Sequence, residues 1–352
     1  MLDSRNMFRQ TIRREETHMR VAIAGATGAV GQEFLNLLAE RSFPITELGL
    51  YASPRSAGKT VTFAGREVTV QALPEDGDLG ADVVFSSAGG SISKAHAWNW
   101  AEHGAVVIDN TSAWRMDERA PLVIPEINGD AALKHQGVIA NPNCSTIVAL
   151  MALAPLHRAF GLKRATIATY QAVSGAGAAG FDELESQTRG VLAGEEVAPE
   201  KFQHPIAFNL FSHDSDVGED GYNVEERKLT LESRKILSHD DLRISATCVR
   251  VPVFRAHSEA IHAEFSRPVS EAEAREVLCR APGLKVVDDR ANNHFPMPLE
   301  ASERDDVLVG RIREDVSNPG GIALFVSGDQ IRKGAALNAV QIGEYLHAQG
   351  AL

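Results

Sequence analysis

Up to Ala140, short apolar runs alternate with stretches in which apolar residues recur at helical spacing. Such runs are typical of strands buried on both faces of a sheet. Strands are predicted at residues 20–24, 48–52, 81–86, 105–109 and 138–140. Between them, Val30, Phe34, Leu37 and Leu38 share one helix face, and a second helix is predicted over residues 91–102. The alternation indicates β–α–β units and a parallel sheet.

The pattern changes after Cys144, where a predicted helix over residues 147–160 is followed by longer strands. These strands are predicted at residues 164–173, 244–251, 261–266, 307–313 and 322–327. Helices are predicted at residues 181–192, 224–237 and 271–280, and an acidic loop with glycines at 213–222. This clustering favours an antiparallel or mixed sheet with helices on one face. A last helix, over residues 334–346, could return to the first domain.

Length and charge narrow the class of protein. The 352 residues suggest roughly two domains. The 47 acidic and 35 basic side chains give a formal charge of −12, which argues against a nucleic-acid partner because phosphate binding depends on Lys and Arg. The longest apolar run has ten residues, 147–156, whereas a membrane-spanning helix needs about 20. Residues 1–18 lack the apolar segment of a secretory signal and are interpreted as a disordered extension or as an artefact of start-codon choice.

A glycine-rich turn between the first strand and the first helix predicts a dinucleotide site. The sequence Gly25-Ala-Thr-Gly28-Ala-Val-Gly31 lets the backbone approach a pyrophosphate, and the helix N-terminus supplies N–H groups and a positive dipole. The spacing is GxxGxxG instead of the more usual GxGxxG. The alternative interpretation is a helix-packing turn that binds no ligand.

The end of the second predicted strand favours NADP over NAD. An NAD site usually places Asp or Glu there for the ribose 2′-hydroxyl, but this chain has no carboxylate between Ala52 and Lys59. Arg55 can instead pair with a 2′-phosphate, with Ser53 and Ser56 as hydroxyl donors. The alternative is that Arg55 and Lys59 belong to a solvated loop.

The cysteines predict one nucleophile and no metal centre. Cys144, Cys248 and Cys279 are far apart and odd in number, which argues against a disulfide framework and a CxxC zinc site and makes the cytoplasm the expected compartment. Cys144 precedes a predicted helix, whose dipole and N–H groups stabilise a thiolate and could receive the oxyanion of a tetrahedral intermediate. Cys248 and Cys279 are interpreted as packing residues.

Four motifs together carry a family resemblance, which extends from about Met19 to the C-terminus. They are Asn-Pro-Asn-Cys144-Ser-Thr, Thr-Tyr-Gln171-Ala-Val-Ser-Gly-Ala-Gly, Cys-Val-Arg250-Val-Pro-Val-Phe-Arg-Ala-His257-Ser and Lys-Gly-Ala-Ala-Leu-Asn338. In this combination the chain resembles the aspartate-β-semialdehyde dehydrogenases. The resemblance implies interconversion of aspartyl-4-phosphate and aspartate 4-semialdehyde with NADP(H) and inorganic phosphate. It also implies a Rossmann-type nucleotide domain and an α+β domain that pairs two subunits into a homodimer.

The resemblance also implies roles for individual residues. Cys144 forms an acyl-thioester, Gln171 orients the carbonyl, and His257 exchanges a proton with the thiohemiacetal oxygen. From the residues alone, a single histidine in a β-rich segment is more often structural than catalytic, and His262, five residues on, is expected on the opposite face of a continuous strand.

Further residues are carried over for the substrate and the cofactor. Arg250 matches the substrate's carboxylate ligand, Glu225 its amino-group ligand, and Arg115 and Lys228 its phosphate ligands. From spacing alone, Glu225 and Lys228 could equally be an i,i+3 surface pair on a helix. The implied cofactor site comprises Gly25, Thr27, Gly28, Ala29, Val30, Ser53, Arg55, Ser56, Ser86, Gly89, Asn110, Ser174, Gly175 and Asn338.

Taken together, the predicted fold is α/β. Residues 19–144 and 332–352 form the predicted NADP-binding domain, and residues 145–331 the catalytic and dimerisation domain. Three alternatives share part of the pattern: an N-acetyl-γ-glutamyl-phosphate reductase, a phosphorylating glyceraldehyde-3-phosphate dehydrogenase and an inactive NADP-binding regulator. The Asn-Pro-Asn-Cys-Ser-Thr and Gln171 motifs fit the first two poorly, and the presence of Cys144, Gln171, Arg250 and His257 argues against the third.

Overall fold

The computed structural model describes residues 19–74 and 77–352, so the predicted extension over residues 1–18 lies outside the described residues. The chain divides into two compact units. The first ends at Pro142 and resumes at Ala335–Leu352, and the second comprises Asn143–Gly334. Among the described residues, each unit contains one seven-stranded sheet.

The sheet of the first unit is largely parallel, as the sequence predicts. Its strands are β1 (Met19–Ala24), β2 (Ile45–Ala52), β3 (Thr60–Phe63), β4 (Arg66–Ala72), β5 (Val83–Ser86), β6 (Val106–Asp109) and β7 (Val138–Ala140), in the order β3-β4-β2-β1-β5-β6-β7. Only the pair β3–β4 is antiparallel among these described strands, and the sequence prediction missed this hairpin. The helices α1 (Ala29–Glu40), α2 (Gly90–Glu102) and α3 (Pro125–Asn128) connect the parallel strands.

Apolar residues of α1 and of the C-terminal helix bury the central strands of this sheet. Phe34 and Leu38 are fully buried among residues of β1 and β5, as the predicted helix face requires. The helix Leu337–Ala348 contributes Leu337, Val340 and Leu346 to the same core. The C-terminal helix is therefore part of the core of the first unit.

The sheet of the second unit is mixed, as predicted. Its strands are β8 (Leu162–Gln171), β9 (Phe211–Ser212), β10 (Arg243–Arg250), β11 (His257–Phe265), β12 (Leu284–Val286), β13 (Val307–Glu314) and β14 (Ile322–Gly328), in the order β12-β13-β14-β11-β8-β10-β9. Its helices are α4 (Cys144–Phe160), α5 (Ala178–Ala193), α6 (Val224–Leu237), α7 (Glu271–Arg280) and α8 (Pro298–Ala301). The helix Leu337–Ala348 of the first unit is α9.

The pairing of neighbouring strands determines which residues lie beside the candidate residues. Parallel β10 and β8 pair Arg250 with Gln171, and antiparallel β11 and β14 pair His257 with Gly328. The strand that begins at His257 is continuous to Phe265, so the fully buried His257 and the half-exposed His262 lie on opposite faces. The sequence prediction, which began this strand at residue 261, had placed His257 outside it.

Candidate active site

The glycine-rich turn of the first unit is shaped for close backbone approach. Gly25 has φ +91°, and a Cβ atom there would come within 2.6 Å of the Ser87 carbonyl oxygen, so only glycine fits. Gly28 is the N-cap of α1, which begins at Ala29. Because glycine has no side chain, the first N–H groups of the helix, those of Ala29 and Val30, receive no side-chain cap. Thr27 lies at hydrogen-bond distance from Ser56, 3.5 Å between the hydroxyl oxygens. This arrangement suits an anion at the start of α1.

The predicted 2′-phosphate residues lie on a short turn directly after β2. Pro54–Ser56 form a single 3₁₀ turn, and the side chains of Ser53 and Arg55 are exposed while Ser56 is partly buried. Pro54 starts the turn, where its fixed φ is favourable. A cationic and two hydroxyl side chains therefore stand together at the end of β2.

Three asparagines link the ends of β6 and β7 to α9. The Asn141 amide donates to Asn110 Oδ1 at 2.7 Å, and Asn338 donates to Asn141 Oδ1 at 2.7 Å. Arg115 is buried beside them, because its Nε donates to the Asn141 carbonyl at 2.9 Å and Nη2 to the Asn110 carbonyl at 3.1 Å. Ser86 is buried at the end of β5, and Gly89 is the N-cap of α2, with φ +96°.

The candidate nucleophile occupies the start of α4 in the second unit. Cys144 is the first residue of the helix and is partly exposed. Asn143 is the N-cap, and its Oδ1 accepts from the N–H groups of Ser145 at 3.0 Å and Thr146 at 3.3 Å. The expectation that the helix N–H groups receive an oxyanion is therefore wrong for these two, because the cap already occupies them.

The backbone of Asn143 and a glycine fix the position of this helix start. The Asn143 N–H donates to Glu232 Oε2 at 2.6 Å. A Cβ atom on Gly334 would lie 3.0 Å from the Cys144 Cβ, so a side chain at position 334 would crowd the nucleophile. The motif Lys-Gly-Ala-Ala-Leu-Asn thus contains the residue that packs on the cysteine.

Glu225 connects the nucleophile helix to Gln171. Its Oε1 accepts from Asn143 Nδ2 at 2.8 Å and from Gln171 Nε2 at 3.2 Å, while Oε2 pairs with Lys228 Nζ at 2.8 Å. Burial alone would raise the pKa of Glu225, but the charge and hydrogen bond of Lys228, with the other donors, hold it well below its usual range. The i,i+3 pair that the sequence allowed is present, but Glu225 is buried and the pair is not a surface pair.

Arg250, at the end of β10, is buried and held by a loop. Its Nη1 donates to the Ala172 carbonyl at 2.9 Å, and Nη2 lies 2.8 Å from Asp214 Oδ1 and 3.0 Å from His213 Nε2. Its Nε is buried without a hydrogen-bond partner in the described part of the chain. Burial lowers the pKa of His213, with Arg250 acting in the same direction, so the neutral imidazole accepts from the guanidinium.

His257 is fully buried at the first position of β11. Its Nδ1 accepts from the Ala172 N–H at 3.0 Å, and Nε2 has no hydrogen-bond partner within the described residues. Burial first, and then the charge of Arg250, lower the pKa of His257 to about 3. A Cβ atom on Gly175 would lie 3.1 Å from Arg250 Nη1 and 3.4 Å from His257 Cε1, so Gly175 leaves room for both side chains.

In the second unit, hydrogen bonds therefore join Gln171, Glu225 and Lys228. Arg250 and His257 both bond the backbone of Ala172, Arg250 at the carbonyl and His257 at the N–H. Ser174, a predicted cofactor residue, is buried and bonded to Gln330 Nε2. Sequence reasoning missed several residues that hold this network, namely Asn143, His213, Asp214 and Glu232. Only Asn143 had a sequence signal, since an asparagine directly before a helix is a common N-cap.

The other two cysteines differ in their surroundings. Cys248 is buried on β10, and burial raises the pKa of its thiol well above the usual range. Cys279 is exposed, so its interpretation as a packing residue is wrong. Helix α7 buries Ala274 and Leu278, and the next position after Leu278 points about 100° further round the helix axis.

Models of two protein domains match most of the chain. The semialdehyde dehydrogenase NAD-binding domain matches residues 20–135, and the semialdehyde dehydrogenase dimerisation domain matches residues 153–333. The aspartate-semialdehyde dehydrogenase of Synechocystis sp. is 53% identical over 332 residues, which cover 94% of this chain and 98% of that protein. The chain belongs to the aspartate-semialdehyde dehydrogenase family. Its first unit accordingly contains an NAD(P)-binding domain and its second a dimerisation domain.

Solved structures of this family agree with the fold. Aspartate semialdehyde dehydrogenase II of Vibrio cholerae, solved as a complex with ASA, is 44% identical and has a TM-score of 0.91, with 94% of this chain and 98% of that chain covered. The Candida albicans enzyme, solved with NADP, is 26% identical with a TM-score of 0.75, over 96% of this chain and 100% of that chain. Within residues 19–74 and 77–352, all helices are too short or too polar to cross a bilayer.

Proposed function

We propose that this chain catalyses the NADPH-dependent reductive dephosphorylation of 4-phospho-L-aspartate to L-aspartate 4-semialdehyde, a reversible step of aspartate-family amino-acid biosynthesis. The observation that carries the proposal is the connected set of side chains in the second unit. A cysteine begins a helix whose cap, Asn143, bonds the buried carboxylate of Glu225, and Glu225 in turn bonds Gln171. The family supplies the substrate class, and the chemistry of these groups matches it.

The polar groups of an amino-acid substrate find complementary partners. Arg250 offers a buried Nε without a partner in the described chain, and a planar guanidinium fork suits the α-carboxylate. Glu225, held ionised beside Lys228, suits the α-ammonium group. We assign Lys228 and Arg115 to the phosphate, because both are cations and each is held by hydrogen bonds to neighbouring residues.

The reaction then uses the nucleophile in two steps. The Cys144 thiolate attacks the acyl carbon of the substrate, and phosphate leaves as the acyl-thioester forms. Gln171 donates one amide N–H to Glu225, and we assign its remaining polar atoms to orienting the thioester carbonyl. NADPH, when bound, supplies the hydride that reduces the thioester to the aldehyde.

The first unit has the features that NADP needs. The turn at Gly25 has no space for a side chain, so a bound pyrophosphate would meet the backbone at the start of α1. Ser53, Arg55 and Ser56 would hold the 2′-phosphate, and their turn contains no carboxylate that would favour NAD. Thr27, Ser86, Gly89, Asn110 and Asn338 stay assigned to the cofactor, together with Ser174 and Gly175 of the second unit.

The proposal includes a homodimer in the cytoplasm. The proposal is supported by the match of residues 153–333 to a dimerisation domain. We expect sedimentation of the protein at micromolar concentration to give the mass of two chains. The functional domains are proposed as residues 19–144 with 332–352, and residues 145–331. A monomer that is fully active would remove the dimer from the proposal.

One assay tests the function. Reduction of NADP is followed with aspartate semialdehyde and phosphate, and with the acetylated glutamate analogue as the competing substrate. We expect turnover of aspartate semialdehyde only, and we expect mass spectrometry of the protein mixed with acyl phosphate to show an acyl adduct at Cys144. Cys144→Ala should abolish turnover and adduct but keep cofactor binding, whereas Cys279→Ala, at an exposed cysteine, should behave as the wild type. No adduct at Cys144 would overturn the proposal.

A further inference from the structure

The hydrogen bonds of Arg250 determine how a carboxylate can reach its guanidinium group. A guanidinium has five N–H groups, one on Nε and two on each Nη. Arg250 Nη1 uses one of them on the Ala172 carbonyl, at 2.9 Å. Nη2 donates to Asp214 Oδ1 at 2.8 Å and to His213 Nε2 at 3.0 Å, so both of its N–H groups are engaged. The Nε–H is buried without a partner in the described part of the chain.

The occupied nitrogen is the one that a bound carboxylate needs. An arginine binds a carboxylate most strongly through two parallel N–H groups on different nitrogens. These pairs are Nε with Nη2 and Nη1 with Nη2, so each pair includes Nη2. A ligand carboxylate therefore completes a pair only by taking the place of Asp214 or His213. Asp214 is the residue to leave, because 25% of its side chain is exposed against 12% for His213, and because two carboxylates on one guanidinium repel each other.

In the free enzyme, Asp214 is the counter-ion of a buried cation. The side chain of Arg250 is 3% exposed, and a buried charge without a partner is strongly destabilising. Burial alone would raise the pKa of Asp214, but the hydrogen bond and the charge of Arg250 hold it below its usual value, so the carboxylate is ionised at neutral pH. A ligand that displaces Asp214 thus leaves an ionised carboxylate beside the ligand's own anion.

The loop that carries Asp214 is fixed next to Glu225, the residue assigned to the α-ammonium group. The hydroxyl oxygen of Ser215 accepts from the Glu225 backbone N–H at 3.2 Å and lies 3.2 Å from His213 Nδ1. The α-ammonium and α-carboxylate groups of an amino acid are bonded to the same carbon. A ligand carboxylate on Arg250 therefore brings its ammonium group within reach of Asp214.

Glu225 alone does not complete the pairing of an ammonium group. A carboxylate has about four acceptor positions. Three positions on Glu225 are filled by donors from the protein, namely Asn143, Gln171 and Lys228. About one position is left for an ammonium group that has three N–H groups. A second carboxylate at this place would supply the missing acceptors, and Asp214 is the carboxylate that substrate binding releases.

We propose that Asp214 is a specificity-determining residue that restricts Arg250 to carboxylates bearing an α-ammonium group. When an amino-acid substrate binds, its α-carboxylate takes over Nη2 of Arg250, and the released Asp214 pairs with the α-ammonium group. A carboxylate without an ammonium group must displace Asp214 and leave it unpaired. The inference rests on the proposed function and specifies which part of the substrate its site selects.

The test compares aspartate semialdehyde with its deamino analogue, succinate semialdehyde, in the full chain. Both are measured in NADP reduction with phosphate, and the analogue also as a competitive inhibitor, so that its affinity has a value even without turnover. In Asp214→Asn, the amide oxygen can still accept from Arg250, but the negative charge is gone. We expect the preference for aspartate semialdehyde over the analogue to fall about 10- to 100-fold, the usual effect of a hydrogen bond to a charged group.

The change is expected in binding and not in the chemical step. The kcat for aspartate semialdehyde should stay within about threefold of the wild type, because an interaction that acts on binding alone changes KM and leaves kcat. Asp216→Asn removes the same charge from an exposed position of the same loop and should leave the preference unchanged. Asp214→Ala also removes the hydrogen bond to Arg250 and should show the same loss of preference as Asp214→Asn.

Calorimetric titration with L-aspartate and with succinate repeats the comparison without turnover. We expect the wild type to prefer L-aspartate, and Asp214→Asn to lose most of this preference. An unchanged preference in Asp214→Asn, or equal losses for the ligands with and without the ammonium group, would overturn the inference, because a residue that only positions Arg250 affects both alike. A wild type that reduces no NADP with aspartate semialdehyde would instead count against the proposed function.

Discussion

Replacement of Gly334 by alanine tests whether close packing sets the position of the nucleophile. The new Cβ would lie 3.0 Å from Cys144 Cβ, 3.4 Å from Cys144 Cα and 3.3 Å from Gln330 Cβ. Carbon atoms pack best at about 3.5–4.0 Å, so the start of α4 would have to shift by about 0.5–1 Å. Overpacking of this kind costs about 1–3 kcal/mol of stability. Misplacement of a reacting group by about 1 Å can reduce the rate by about 10²-fold.

The assay separates the shift of the cysteine from a general loss of stability. We would measure kcat/KM for aspartate semialdehyde, the alkylation rate of Cys144 and the thermal midpoint of Gly334→Ala. Gly129→Ala is the matched control, since its Cβ would also come within 3.0 Å of a neighbour, but this neighbour is the ring of Tyr345 in the first unit. We expect both variants to melt earlier, and only Gly334→Ala to lose about 10²-fold in kcat/KM. A Gly334→Ala enzyme with wild-type kcat/KM would refute the reasoning.

Three further predictions concern ionisable side chains. Arg55→Ala should weaken NADP binding about tenfold or more and leave NAD binding unchanged, as measured by fluorescence titration with both cofactors, and an unchanged NADP preference would contradict the assignment. Arg250→Lys keeps the charge but loses the fork, so kcat/KM should fall about 10- to 100-fold, and near-normal activity would remove Arg250 from the substrate site. Glu259 is fully buried with no partner for either oxygen among the described residues, and burial raises its pKa well above 4.5. The unfolded chain releases this proton first, so the stability that the neutral carboxyl provides is complete below about pH 4.5 and is lost as pH rises toward the folded pKa. In urea unfolding at pH 5 and pH 8, Glu259→Gln should therefore gain stability relative to the wild type as pH rises, and a constant difference would contradict this.

The sequence carries most of the information about the fold because strand burial and helix periodicity are local properties. The parallel strands and α1 follow directly from apolar runs and helical spacing. The missed hairpin has a period-two pattern in Thr60–Phe63 and Arg66–Ala72, but its turn is Ala64–Gly65 instead of the more common Asn-Gly. Both turn residues have positive φ, at 46° and 80°, which only the glycine signals in the sequence.

The site is less predictable because its hydrogen bonds join residues that are distant along the chain. Cys144 is marked by its position before a helix, but nothing in the spacing predicts that His213 and Asp214 hold Arg250 from 37 and 36 positions away. The burial of Glu225 also depends on its neighbours in space, since a Glu-x-x-Lys step reads equally well as a surface pair. The hydrogen bond from the Ala172 N–H to His257 Nδ1 also joins residues 85 positions apart, which the sequence does not reveal.

The discontinuous first unit has a consequence for the order of events during translation. Its core contains Leu337, Val340 and Leu346 from α9, while the second unit, Asn143–Gly334, is contiguous. A chain emerges from the ribosome N-terminus first, and its domains fold as units. The second unit can therefore fold while the first unit still lacks α9. The strands of the first unit must therefore stay soluble until almost the whole chain has been synthesised. Loss of α9 through a premature stop codon or a protease would expose the apolar core residues that this helix covers in the first unit.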